Sequence, residues 1–166
     1  MIEATAAPRA TVTDREARAI DAGSGMVLIA GFGLVAYGLL FLGRNFSGFI
    51  ELGLTPAHVG ATPDQIRAIS PRLFNYISHL QVAIAGFIMA LGVATISLAW
   101  NGLRQRLAWA AWTVLLMTIV AVGVALPLHY VYGLATMGHL GTLYVDVALL
   151  VAGSVYSLAH SRPRTP

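Results

Sequence analysis

The sequence has no cysteine and no lysine, and only 10% of its 166 residues are charged. Without thiols there is no disulfide, thiolate metal centre, lipid-anchoring cysteine or CxxC redox pair. Without lysine, the fixed positive charge rests on ten arginines, and together with abundant alanine and glycine this suggests a GC-rich bacterial genome. The chain also lacks a P-loop, a nucleophile elbow, an HExxH pair and a paired-carboxylate motif, which removes the common signatures of nucleotide, ester and peptide chemistry. Its pI of about 9.7 does not mark a nucleic-acid binder. The arginines stand in short groups beside apolar blocks, with no basic stripe or interleaved aromatics. There is no internal repeat and no low-complexity tract.

What the chain does have is hydrophobicity, at 57% of residues and a mean hydropathy of +0.75. These residues fall in long uncharged blocks, so lipid explains the pattern better than a protein core. Residues 1–24 form a polar tail carrying Arg9, Arg15, Arg18, Glu3, Asp14, Glu16 and Asp21. The first block, residues 25–43, has 19 uncharged positions, roughly 28 Å of helix and close to the hydrocarbon thickness. Its exit, Leu42-Gly43-Arg44-Asn45, lacks a small-x-small cleavage pattern, which favours an uncleaved span over a signal peptide. Further spans are expected at about 73–100, 107–126 and 142–159, with residues 160–166 as a C-terminal tail.

Arginines number three before the first span, two in the turn at 101–106 and two at the C-terminus, against three in the first outer loop and none in the second. The positive-inside rule therefore predicts an all-α integral membrane four-helix bundle, up-down-up-down, with both termini in the cytoplasm of a bacterium and the chain in its plasma membrane. Trp100, Trp109 and Trp112 at one boundary and Tyr76, Tyr130, Tyr132 and Tyr144 at the other resemble two aromatic belts. In the outer loop, 44–72, Thr62-Pro63-Asp64-Gln65 spells a capping box with proline at the first helical position, predicting a short helix over 63–70 that stops before Pro71. Pro127 should kink or end the third span. The uncharged segment 127–141 is expected to hug or re-enter the membrane surface.

Helices in lipid meet through small residues. The second span carries His79, Ala83, Gly86, Ala90, Ala94 and Ser97 at spacings of three and four, with Gly86, Ala90 and Ala94 as small-xxx-small steps. The fourth carries His139, Asp146, Gly153 and His160 at intervals of seven, and the third offers Thr118, Ala121, Ala125 and His129. Gly86, Ala90, Ala94 and Gly153 are the expected packing positions. Gly31 to Ala36 matches GxGxxA, but inside a membrane helix with no preceding strand it reads as packing. Asn45-Phe46-Ser47 has the form of a glycosylation sequon and is discounted for its closeness to the membrane.

The threading brings His79, His129, His139 and Asp146 together as a polar pocket, with Glu51, His58 and Arg72 as its cap. Asp146 is the sharpest signal, because a carboxylate in mid-span needs a partner or an interior position. Such a pocket suits proton relay or the head group of a lipid or quinone, and imidazoles with a carboxylate also suit a metal or a haem b. The spacing is not diagnostic of a metal, so no cofactor is expected. A hydrogen-bonded structural cluster is the plainer reading. With a lipid bilayer as its surroundings, no nucleic acid and no soluble domain, the chain reads first as a small accessory or scaffold subunit. It would dock on other membrane subunits, including an assembly that transports lipids or small molecules. The alternatives are a membrane enzyme or electron carrier using the His/Asp cluster, and a homo-oligomeric transporter or channel.

Overall fold

The computed structural model describes residues 14–161, and all regular elements among them are helical. Most of the expected N-terminal tail and the last residues of the C-terminal one, with Arg9, Arg162 and Arg164, lie outside the described residues. The long helices are α1 (Asp14–Ser47), α4 (Pro71–Leu98), α5 (Ala108–Val131) and α6 (Met137–Ala159), and two short ones, α2 (Pro56–Val59) and α3 (Pro63–Ile69), lie between α1 and α4. A π-helical turn, Ala99–Leu103, closes α4. Among the described residues four stretches are long and apolar enough to cross a membrane: Asp21–Ser47, Pro71–Leu103, Ala108–Val131 and Met137–Ala159, of 27, 33, 24 and 23 residues. At about 1.5 Å per residue each exceeds the roughly 30 Å of a bilayer's hydrocarbon core. Ile29, Phe32, Phe87, Leu116, Ile119 and Val124 stand exposed on them, as lipid-facing side chains do. The chain is a membrane protein whose spans contact lipid.

The helix boundaries follow local chemistry. Thr62 Oγ1 accepts from the Gln65 amide at 3.2 Å while Gln65 Oε1 accepts from the Thr62 amide at 2.8 Å, completing the capping box. Ser70 then caps α4 by accepting from the Leu73 amide, with Pro71 at the first helical position. Several boundaries differ from expectation, α1 among them, which runs Asp14–Ser47 where the span was expected at 25–43. α5 runs through Pro127 to Val131, because proline removes only its own donor to Gly123 and the remaining turns still close. α6 starts at Met137, five residues before the expected 142, because Thr136 accepts from the His139 amide and nucleates the turn there. The segment 127–141 is thus mostly helix, with residues 132–136 as its only non-helical part.

α1 is the central post, packed along α4 on one side and α6 on the other, while α5 leans on α6 and meets α4 only sparsely beyond the turn joining them. Glycines permit the close approach. A Cβ at Gly153 would lie 2.7 Å from the Gly23 carbonyl oxygen, and one at Gly92 would lie 2.8 Å from the Gly31 carbonyl oxygen. Farther along α1, Gly38 lies against Ala85 and Met89. Gly31 of the GxGxxA match is thus a packing glycine. Around the Gly23 end, Val27, Ala30, Ala99, Leu103, Ala110, Ala111, Val114 and Leu150 form the buried core. Arg104 meets Asp21 at 3.9 Å and covers the Trp100 ring at that same end.

Candidate functional site

At the opposite end of α1 the chain leaves the helix through Phe49, which adopts a left-handed φ of 63° yet is buried. Its ring stacks on Phe74 at 4.0 Å, and Arg67 covers the far face of that assembly at 4.2 Å from the Phe74 centroid. A non-glycine residue in this region costs about 1–2 kcal/mol, and the stacking together with a Gln81 Nε2 donor to the Phe49 carbonyl holds it there. Asn45 donates to Ser78 Oγ at 3.0 Å, which ties α1 to α4 and buries the discounted sequon asparagine.

The loop then crosses the first turn of α6. Gly53 has φ 79° and lies directly on the Gly138 backbone, where a side chain would have no room. Its carbonyl accepts from Thr136 Oγ1 at 3.0 Å. This crossing delivers Glu51 and Leu52 to His139, which is only 5% exposed. A carbonyl can only accept, so His139 Nδ1 donates to the Leu52 oxygen, 3.0 Å away. Nε2 faces Glu51 Oε2 at 3.3 Å. His129 lies alongside, with ring centroids 5.2 Å apart. Its Nδ1 donates to the Ala125 carbonyl, 2.8 Å away and one turn back in α5.

Of the residues expected to converge, His129, His139 and Glu51 therefore meet. Asp146 does not join them, because seven residues of helix carry it about 10 Å farther along α6. His79 is exposed on α4, on the flank turned away from the residues that pack on α1, so its expected convergence is corrected. Arg72 is exposed and does not cap the cluster. His58 is likewise exposed, and its Nδ1 is engaged with Thr55 as the local cap of α2. Gly153 packs within the chain, whereas Gly86, Ala90 and Ala94 all face outward, and a Cβ at Gly86 would meet nothing within 4 Å. The α4 face that packs on α1 is the neighbouring one, through Ala85, Gly92 and Ile96.

Asp146 lines a cavity of about 50 Å³ to which all four long helices contribute: Leu34 from α1, Leu91 and Thr95 from α4, Val114, Met117 and Thr118 from α5, and Leu143 and Leu150 from α6. Its Oδ1 would lie 3.1 Å from a Cβ at Gly33, so the missing side chain of that glycine makes room for the carboxylate. Among the described residues nothing hydrogen-bonds or ion-pairs with Asp146. A lone aspartate in mid-bilayer costs about 2.5–3.5 kcal/mol on the insertion scale, and here it is half-buried against apolar walls. The expectation of a protein partner for Asp146 is not met among the described residues. The signal missed at the sequence level was Thr95, which is 1% exposed and lines the same cavity.

Among the described residues no group of three or more His, Cys, Asp or Glu side chains is placed to hold a metal ion. Comparison with known proteins gives no match to a family model, a curated protein or a solved structure.

Proposed function

We propose that the chain is an accessory or scaffold subunit that docks laterally on another membrane-embedded helix surface. The observation that carries this reading is the outward face of α4, where Gly86, Ala90 and Ala94 lie exposed at helical spacing. Lipid tails gain nothing particular from a glycine and alanine groove, whereas a second helix gains close backbone approach and dispersion contact. The bundle has already used other small residues, Gly23, Gly31, Gly92 and Gly153, for its own packing. The α4 run is surplus to the fold and suited to a partner.

The subunit sits, in this reading, in a bacterial plasma membrane, threaded up-down-up-down with both termini cytoplasmic. Support comes from the arginine distribution and from the contacts at the two ends. Asp21 meets Arg104 and Gly23 meets Gly153 at one end, while Glu51 meets His139 at the other. Because the sequence has no cysteine, an Arg104→Cys variant offers a single labelling site. Labelling of intact cells from outside would reverse the threading.

The docking test is extraction in mild detergent followed by mass determination. A defined complex containing other chains is expected, and Gly86→Leu or Ala90→Leu should release the chain from it. A particle made only of copies of this chain would favour the homo-oligomeric transporter or channel instead. A monodisperse single copy would sink both readings. The membrane-enzyme reading rests on the meeting of His129, His139 and Glu51 alone, and is the less supported of the three.

A further inference from the structure

We infer that Asp146, reached past Gly33, is the contact point for a membrane-spanning helix of a different chain that carries one basic side chain at the same depth. The inference rests on the docking reading in one respect, that a partner chain is present in the membrane. It deepens that reading by naming the partner's chemistry and a surface separate from the α4 run. Asp146 lies well inside α6 (Met137–Ala159), roughly 14 Å from the start of that helix and roughly 20 Å from its end at about 1.5 Å per residue. None of the ion pairs among the described residues includes it. Ionised side chains at such depth pair with one another or face water-filled space. The walls around this one are apolar instead, formed by Leu34, Leu143, Val147 and Leu150, so the opposite charge is to be sought outside the chain.

Gly33 supplies the way in. It is exposed, and apart from its own helix the only heavy atom within 4 Å of the Cβ it lacks is Asp146 Oδ1, at 3.1 Å. The carboxylate thus stands at the floor of a notch in the surface of α1, beside the exposed Ile29 and Ala36. Charge complementarity narrows the occupant. A second copy of this chain cannot supply the cation, because residues 25–43, 73–100, 107–126 and 137–159 contain no arginine and the chain has no lysine. The ammonium groups of lipids stay in the interfacial region, outside the hydrocarbon core. An arginine or lysine on a partner's span fits both parts of the notch. Its methylenes lie on the apolar walls while its head reaches the carboxylate in a charge-assisted hydrogen bond.

The test uses the tagged full chain in its native membranes, extracted in mild detergent, with co-purifying chains identified and quantified by mass spectrometry. The expected result is a chain with a lysine or arginine in the middle of a span. Its recovery should fall at least about tenfold with Asp146→Asn and survive Asp146→Glu. Asp146→Arg should abolish recovery, and replacing the partner's basic residue by aspartate should then restore it, which a purely structural role for Asp146 would not produce. Should the variants at Asp146 fail to fold, Gly33→Leu retains the carboxylate, fills the notch and should give the same loss. A photo-crosslinker on Gly33→Cys, the single thiol of an otherwise cysteine-free chain, should capture that same span. The inference is overturned, with lateral docking left standing, by a complex that withstands Asp146→Asn and Gly33→Leu but is lost with Gly86→Leu. It is equally overturned by co-purifying chains that have no basic residue within a span, or by a loss that the charge exchange fails to restore. A chain that purifies alone overturns both readings.

Discussion

The two ends of the bundle are held by different physics. Around Gly23, Gly153, Val27, Leu103 and Ala110, close-packed backbones and small apolar side chains leave no room for substitution. Around His139, side chains fasten a loop onto helix ends, through Asn45 to Ser78, Gln81 to Phe49, Thr136 to Gly53 and His139 to Leu52. Packing of the first kind is unforgiving because the obstacle is a backbone atom that cannot rotate away. Fastening of the second kind is distributed, so removing one bond leaves the others in place.

The largest expected effect is therefore at the packed end. Gly153→Leu drives a side chain into the Gly23 carbonyl and should destabilise the bundle by about 3 kcal/mol, read as loss of folded protein in denaturant titration. An unchanged midpoint would mean that α1 and α6 do not pack on this face. At the fastened end, His139→Ala removes the hydrogen bond to the Leu52 carbonyl and the contact with Glu51, a loss of about 2 kcal/mol. Limited proteolysis of the loop over 50–62 should rise in parallel. Asn45→Ala should cost less, about 0.5–1 kcal/mol, because the Asn45 Oδ1 is buried without a partner and its removal relieves that burden. If it destabilises as much as Gly153→Leu, the contrast between the two ends fails. The smallest effect belongs to neither end. Gly86→Leu points into open space and should shift the stability of the isolated chain by no more than about 0.5 kcal/mol, while dissociating any larger complex.

The spans themselves were legible because bilayer thickness imposes a length and lipid imposes a composition, and the apolar blocks satisfy both. The face of α4 was not. Ala85, Gly92 and Ala99 form one run of small residues and Gly86, Ala90 and Ala94 another, about 100° around the helix. Both meet the rule for a helix contact, and only the position of α1 decides between them. The α6 start was hidden because Thr136 acts as a cap only once the Gly53 loop lies across it. At the site, the imidazole pair could be guessed from threading, since the turn between α5 and α6 returns the chain on itself. Glu51 reaches the pair because Phe49 takes a left-handed conformation that nothing in the residue type announces. Asp146 stood out on cost alone, but the company of Thr95 depends on how four helices converge, which no single-helix pattern encodes.

The placement of α6 bears on biogenesis. Synthesised after the other three spans, it supplies the Gly153 surface for α1, the seat for the Glu51 loop and the only carboxylate of the cavity. A ribosome-bound intermediate with three spans in the membrane would show its glycine seam to lipid and leave the loop unanchored. Quality-control proteases that survey the bilayer would find such a chain easy to recognise until α6 docks.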